Sequence, residues 1–196
     1  MSTRPLLYVD VGSPFAYLAV ARAEAVLGAR PLIRPVLLGG LFRLTGRSSW
    51  ALGDVERRRA GMADIEARAA RYGLPALRWP DPWPGDYLRA MRVVTAGYEL
   101  GEDAGDALLA AGFGRMFVTG EDLSRDHVLR AACGDAGLDA DAVLDAAGTQ
   151  RVKDALRTAT DAAHARGVFG VPTLEADGRL LWGDDRLDEA GRGPGG

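Results

Sequence analysis

The change from strand to helix in residues 6–27, LLYVDVGSPFAYLAVARAEAVL, decides the fold. Residues 6–11 form a short apolar, β-branched run that is typical of a buried strand. The tripeptide at 12–14 ends this run, and apolar residues then recur at helical spacing as far as Gly28, a favourable C-cap. Residues 30–37 predict a second strand. The chain therefore opens with a β-α-β unit whose strands are parallel.

The end of the chain returns to β structure. Residues 172–176 and 179–182 are strand-like and flank Asp177-Gly178, a pair typical of a tight hairpin. A helix is predicted before them, over residues 149–166. This order predicts an α/β, thioredoxin-like fold with a large α-helical insertion domain. We expect residues 1–38 plus 149–187 to form the thioredoxin-like core, 39–148 the helical insertion and 188–196 a flexible tail.

The predicted insertion is helical apart from two loops and one connector. Gly39-Gly40 and residues 45–49 have loop composition, whereas residues 55–72 have a helical period. Four prolines and two tryptophans within residues 74–85 favour a rigid extended connector. Four more helices are predicted, at residues 86–97, 105–117, 124–133 and 139–147, with Ser124 and Asp139 as N-caps.

The bulk composition excludes several kinds of function. The 196 residues carry a net charge of -3, which argues against a nucleic-acid partner because phosphate binding needs clustered basic surface. No secretory segment and no run of about 18 apolar residues is present, so we expect a cytoplasmic protein with no membrane contact. The two histidines, His127 and His164, lie in helical pattern without neighbouring ligands, so we expect no metal site.

Cysteine use is equally informative. Cys133 is the only cysteine, so the chain contains neither an intrachain disulfide nor a C-x-x-C redox or zinc motif. Its position at the end of an amphipathic helix predicts a buried structural thiol.

Ser13-Pro14 begins the first helix. Serine is a good N-cap and proline suits the first helical position, and this alone would explain the pair. A helix N-terminus also offers free N–H groups and about half a unit of positive charge, which lowers the pKa of a thiol. Since residues 13 and 16 are not cysteine, the sulfur in such a site must belong to a small-molecule thiol. The hydroxyl of Ser13 could then donate a hydrogen bond to that sulfur.

Val171-Pro172 precedes the predicted hairpin. Such a pair is common in loops, which is the simpler interpretation. In a thioredoxin fold this loop meets the loop that holds Ser13. A cis bond before Pro172 would turn the backbone of Val171 outward, where it could pair with an extended peptide such as glutathione.

Five segments, in order and in register, carry a more specific resemblance. They are YVDVGSPFAYLA at 8–19, VLLGGLFRLTG at 36–46, LRAMR at 88–92, RGVFGVPT at 166–173 and LWGDDRL at 181–187. Together they resemble the 2-hydroxychromene-2-carboxylate isomerases, DsbA-like thioredoxin-fold proteins related to kappa-class glutathione transferases. The resemblance runs from about residue 8 to residue 187.

This resemblance implies a thiol-dependent cis–trans isomerase that uses glutathione or another low-molecular-weight thiol and acts on an aromatic or polyketide-like unsaturated acid. Ser13 would hold the sulfur, and Val171 with Pro172 would pair with the cofactor backbone. Asp185 and Arg186 would bind the γ-glutamyl end; the alternative for these two is a surface ion pair. A possible homodimer is implied by family analogy only.

Four positions depart from the family pattern, three of them with a change in side-chain chemistry. Arg47 replaces a family asparagine, Ala60 a tyrosine and Asp86 another asparagine, while Arg57 stands where the family has lysine. These changes predict a native substrate other than the chromene itself.

We assign the contacts with the substrate to four residues, Phe15, Arg47, Asp86 and Tyr87. The resemblance also predicts that the closing helix of the relatives is missing after Leu187. Two other functions remain open: a kappa-type glutathione transferase, and a non-catalytic relative that binds a thiol or peptide in the same groove.

Overall fold

A computed structural model describes residues 4–191. Within them lie four strands: β1 (Leu6–Val9), β2 (Leu32–Pro35), β3 (Thr173–Ala176) and β4 (Arg179–Trp182). The α-helices of the same range are α1 (Pro14–Leu27), α2 (Leu38–Thr45), α3 (Val55–Arg71), α4 (Leu88–Leu100), α5 (Glu102–Phe113), α6 (Asp126–Asp135), α7 (Ala140–Gly148), α8 (Gln150–Ala165) and α9 (Leu187–Gly191). Short 3₁₀ turns cover Trp50–Leu52 and Asp184–Arg186, and a π-helical turn covers Gly114–Thr119.

The four strands form one mixed sheet in the order β2-β1-β3-β4. Strands β1 and β2 are parallel, as expected for a β-α-β unit, and β3 is antiparallel to both β1 and β4. The turn between β3 and β4 has positive φ at Asp177 (50°) and Gly178 (72°), the conformation that an Asp-Gly hairpin turn favours. The predicted thioredoxin-like fold with a helical insertion is confirmed.

The hydrophobic core covers both faces of the sheet. Leu7 and Val9 of β1 point into a large cluster that includes Met91 of α4 and Phe113 of α5. Tyr8, between them in sequence, points to the other face, where a smaller cluster lies against α2 and α8. This alternation is the period of two expected of a strand. The insertion helices thus share a core with the sheet, and the boundaries between core and insertion stay a prediction.

One predicted loop is a helix. Gly39 and Gly40 belong to α2, whose first turn is held by side chains far away in sequence. Thr160 Oγ1 accepts from the N–H of Leu37 at 2.9 Å, and Asp10 Oδ2 accepts from the N–H of Leu38 at 2.7 Å. The loop prediction was wrong because these partners satisfy the free N–H groups of a helix that local sequence does not favour.

Two of the three predicted N-caps are correct. Ser13 Oγ accepts from the N–H of Ala16, and Asp139 caps α7 in the same way. Ser124 is not a cap: its hydroxyl donates to Asp122 Oδ2 at 2.7 Å, and α6 begins at Asp126. The predicted connector over residues 74–85 contains neither helix nor strand, as expected.

The predicted flexible tail is wrong over residues 188–191, and the missing closing helix stays a prediction. Residues 187–191 form α9, a short helix that packs beside α1. Both Asp188 carboxylate oxygens accept from Arg22 Nη2 at 2.8 Å. Residues 192–196 of the predicted tail lie outside the described residues.

Two further features concern the single cysteine and the hydropathy of the helices. Cys133 is buried in the core, as predicted, and this burial raises the pKa of its thiol. None of the helices within residues 4–191 is both long enough and apolar enough to cross a membrane.

Candidate functional site

A cavity of about 920 Å³ lies where the loops at one end of the sheet meet α2 and α3. This volume is near the upper end of the roughly 300–1,000 Å³ typical of ligand pockets, so it has room for two small molecules together. All of the predicted site residues line it: Ser13, Phe15, Arg47, Asp86, Tyr87, Val171, Pro172, Asp185 and Arg186. The structure therefore brings the predicted site residues together, while their roles stay predictions.

Ser13 lies at the N-terminus of α1 and is only 3% exposed. Its Oγ accepts a hydrogen bond from the N–H of Ala16 at 3.3 Å, and its own N–H donates to the carbonyl of Asp10 at 3.0 Å. The cap uses a lone pair of Oγ and leaves the hydroxyl hydrogen able to donate. Capping and sulfur binding are therefore compatible at this residue.

Val171 presents an unpaired backbone beside this loop. The Val171–Pro172 bond is cis, and the carbonyl of Pro172 accepts from the N–H of Gly183. Within residues 4–191, neither the N–H nor the carbonyl of Val171 has a hydrogen-bond partner. Because backbone groups without partners are rare in folded proteins, this residue is suited to pairing with an extended ligand.

Asp10 is a functional candidate that sequence reasoning missed. It lines the cavity and is 4% exposed, with Oδ1 accepting from the N–H of Gly12 at 2.8 Å and Oδ2 from that of Leu38 at 2.7 Å. Burial raises its pKa to about 6, and the two backbone hydrogen bonds oppose that shift. The available signal was an acidic residue at the end of an otherwise apolar strand run.

An aromatic wall, made of Phe15, Trp50 and Trp83, borders the cavity, and Trp79 packs against Trp83. The ring centroids of Phe15 and Trp50 are 6.2 Å apart, those of Trp50 and Trp83 5.7 Å, and those of Trp79 and Trp83 4.6 Å. Trp50 packs directly on the backbone of Gly61 in α3. This wall offers flat apolar surface to an aromatic or unsaturated ligand.

Of the remaining predicted substrate residues, Arg47 lies beside Phe169, whereas Asp86 and Tyr87 lie at the start of α4. The guanidinium of Arg47 lies 4.3 Å above the ring of Phe169. Asp86 is exposed and lines the cavity, and its Oδ1 accepts from the N–H of Leu88, the first residue of α4, at 3.0 Å.

Tyr87 is nearly buried, and burial raises its pKa to about 12. Its ring covers Gly12 so closely that a Cβ there would lie 2.5 Å from Tyr87 Cδ2, which explains why position 12 is glycine.

The turn at residues 183–186 places Asp185 and Arg186 at the cavity. Arg186 pairs with Glu189, and Asp185 Oδ2 lies 3.8 Å from Nη1 of Arg68. The alternative of a surface ion pair between Asp185 and Arg186 is therefore not what the structure contains.

Asp184, a second candidate that sequence reasoning missed, is 1% exposed. Its carboxylate accepts from Arg68 Nη1 at 3.0 Å and from the hydroxyl of Tyr72 at 2.9 Å. Burial raises the pKa of Asp184, while these two partners lower it.

These features define the class of the protein. Strand β1 of the thioredoxin-like sheet leads into α1, whose N-cap is Ser13. Val171 and Pro172 line the same cavity as Ser13. Cys133, the single cysteine of the chain, does not line that cavity. This is a thioredoxin-fold protein whose site contains no thiol of its own.

Comparisons with known proteins agree. The DSBA-like thioredoxin domain model matches residues 6–191. The 2-hydroxychromene-2-carboxylate isomerase of Sphingobium xenophagum is 31% identical over 190 residues, 92% of each chain. Glutathione S-transferase kappa 1 of Homo sapiens is 28% identical, covering 93% of this chain and 86% of its own. A solved structure of a 2-hydroxychromene-2-carboxylate isomerase superposes with a TM-score of 0.79 at 22% identity, covering 94% of this chain and 91% of that one. The chain belongs to the DsbA-like thioredoxin family, among the relatives of 2-hydroxychromene-2-carboxylate isomerase.

Proposed function

We propose that this protein is a thiol-dependent cis–trans isomerase that acts on an aromatic or polyketide-like unsaturated acid. The observation that carries the proposal is that one cavity is lined both by Ser13, the N-cap of α1, and by Val171, whose backbone N–H and carbonyl have no partner within residues 4–191. No cysteine lines this cavity. Such a site needs a thiol from outside the protein, and glutathione or another low-molecular-weight thiol would supply it. The similarity to an isomerase over nearly the whole chain supports the reaction type.

The reaction would use the thiol without consuming it. When bound, the thiol would supply a nucleophile that adds reversibly to the substrate double bond, with the conjugated carbonyl taking up the electron pair. The single bond formed in this way would allow rotation, and loss of the thiol would restore the double bond in the trans geometry. The hydroxyl of Ser13 and the N-terminus of α1 stabilise the thiolate that begins and ends this cycle.

The cavity offers separate surfaces for the two ligands. Val171 would pair with the peptide backbone of glutathione, while Asp185 and Arg186 would bind the ammonium and carboxylate of its γ-glutamyl group. Phe15 and the aromatic wall would hold the unsaturated substrate. Arg47 would meet the substrate's carboxylate, and Asp86 and Tyr87 would border the same ligand.

The first test follows isomerisation of 2-hydroxychromene-2-carboxylate by absorbance, with and without reduced glutathione. We expect thiol-dependent turnover that falls about 100-fold in Ser13→Ala, the effect of removing one preorganised donor to a reacting anion. Thr149→Ala is the matched control, because it removes an equivalent N-cap from α8, far along the chain from the site. The ultraviolet absorbance of bound thiolate should fall in Ser13→Ala alone. Full activity in Ser13→Ala would contradict the proposed role of the hydroxyl.

A kappa-type glutathione transferase is the second candidate, favoured by the 28% identical human relative. The two reactions differ in their thiol balance: an isomerase regenerates the free thiol, whereas a transferase consumes one thiol per conjugate. Titration of free thiol during turnover separates them. Thiol binding without either product would instead indicate a non-catalytic relative. A cytoplasmic location, where small thiols stay reduced, and a homodimer belong to the same proposal.

A further inference from the structure

We propose that Arg68 and buried Asp184 are positioning residues that make this site select thiols carrying a γ-glutamyl group. The inference rests on the thiol-binding function proposed above and assigns roles to two residues outside the sequence motifs that indicated it. Arg68 lies on α3, and Asp184 lies in the turn that carries Asp185.

Asp184 ties that turn to two helices. Its carboxylate accepts from Arg68 and Tyr72 of α3, and its backbone carbonyl accepts from Arg22 Nη1 of α1 at 3.4 Å. The guanidinium of Arg22 also stacks 3.9 Å above the ring of Tyr72. These bonds restrain the residue that directly precedes Asp185, so the backbone of the turn is held against both helices.

The turn brings the Asp185 carboxylate over its own backbone. Gly183 has a φ of 119°, and a Cβ there would lie 2.5 Å from Asp185 Oδ1. Both the positive φ and the lack of side-chain space require glycine at this position. The Asp185 side chain nevertheless remains 59% exposed, so a ligand can reach it from the cavity.

The charges around Arg68 leave Asp185 ready for a cation. Arg68 contacts three carboxylates, of Asp64 at 2.9 Å, Asp184 at 3.0 Å and Asp185 at 3.8 Å. Arg68 is shared among these three carboxylates, and Asp185 is the one that it contacts at the greatest distance. An ammonium group could therefore pair with Asp185 from the cavity, and the α-ammonium of a γ-glutamyl group has the required charge.

The test compares reduced glutathione with N-acetylcysteinylglycine, which keeps the cysteine amide but lacks the charged end of the γ-glutamyl group. Calorimetry would measure the Kd of each for the wild-type protein and for Arg68→Met. We expect the wild-type protein to prefer glutathione, and Arg68→Met to raise the Kd for glutathione about tenfold while that for N-acetylcysteinylglycine changes less than twofold. Arg68→Lys keeps the charge but not the forked geometry, so its Kd for glutathione should lie between those of the wild-type protein and Arg68→Met.

Arg71→Met is the matched control, because it removes an exposed arginine from the same helix. Should Arg68→Met unfold, Tyr72→Phe carries the same test, since it removes one donor to Asp184 without changing charge. An equal loss of affinity for both thiols in the variants would overturn the positioning role. Equal wild-type affinity for both thiols would overturn the γ-glutamyl selection and leave the thiol reaction standing. Binding of neither thiol by the wild-type protein would overturn the proposed function and this inference with it.

Discussion

Asp10 lies next to the Ser13 loop, and no cationic side chain within residues 4–191 pairs with its carboxylate. Its hydrogen-bond partners within residues 4–191 are the backbone N–H groups of Gly12 and Leu38. Those two bonds join the loop before α1 to the first turn of α2, so one side chain links two walls of the cavity. A charged group this deeply buried costs stability, and hydrogen bonds from N–H groups offset only part of that cost.

The stability contributed by Asp10 should therefore depend on pH. Its pKa rises from 3.8 to about 6 on folding, so the unfolded chain releases this proton first as the pH increases. Protonated Asp10 favours the folded state, and that benefit is lost as the pH rises from about 4 to above 6. The shift from 3.8 to about 6 corresponds to about 3 kcal/mol. Urea unfolding of wild-type and Asp10→Asn proteins at several pH values measures it.

The difference between the two unfolding free energies is the quantity to follow. Asp10→Asn loses an acceptor for one N–H group, which costs a constant amount at every pH, so only the pH-dependent part reports the titration. Asp161→Asn, a change of the same kind at an exposed position of α8, is the comparison variant for the substitution itself. Parallel curves for wild type and Asp10→Asn would show that Asp10 has an ordinary pKa.

At the scale of elements, α3 supports two surfaces of the cavity. Its Gly61 contacts the Trp50 ring of the aromatic wall, and its Arg68 holds the turn that carries Asp185. Arg68 also lies with its guanidinium 5.6 Å from the ring of Phe15. A substitution in α3 should therefore affect both the binding of the substrate and the binding of the thiol.

Gly61→Ala should displace Trp50 from the aromatic wall. A Cβ at position 61 would meet three ring atoms of Trp50, all closer than real Cβ contacts allow. We expect a loss of about 1–3 kcal/mol in unfolding free energy from overpacking, a shift in tryptophan fluorescence and weaker substrate binding. Fluorescence and KM for the unsaturated acid are the measurements. Gly134→Ala, in an open position of α6, should instead be neutral or slightly stabilising. An unchanged Trp50 environment in Gly61→Ala would contradict the packing role.

At the scale of the molecule, the insertion and the sheet share one hydrophobic cluster. Leu7 of β1 and Leu108 of α5 are both at most 1% exposed and belong to the same cluster. The cavity lies at the meeting of these parts, with Ser13 and Val171 supplied by the sheet loops and the aromatic wall supplied mainly by the segments before and after α3. Site geometry and global folding are therefore coupled.

We expect the protein to unfold in a single cooperative transition. Leu7→Ala and Leu108→Ala should each lower the unfolding free energy by about 2–5 kcal/mol, and both should shift the same transition. Circular dichroism and tryptophan fluorescence, followed together in denaturant, measure this. Leu100→Ala, at a side chain that is 65% exposed, should change stability by no more than about 0.5 kcal/mol. Two separate transitions would instead support independent core and insertion domains.

Local sequence was sufficient wherever short-range chemistry decides the structure. Ser13 and Asp139 cap helices with their own side chains, and Asp177-Gly178 adopts the positive φ values of a tight turn. The order of strands and helices then predicted the thioredoxin-like fold, and the motifs within it predicted nine residues that line one cavity. These features depend on groups a few residues apart, so the chain alone determines them.

Tertiary structure decided the features whose partners lie far apart in sequence. α2 contains Gly39 and Gly40 and still forms, because Thr160 and Asp10 accept from its first N–H groups. Asp184 is buried because α3 and α1 supply its donors, more than 110 residues away along the chain. A polar side chain in an apolar environment is stable only when its partners are in place, and only the folded chain brings those partners together.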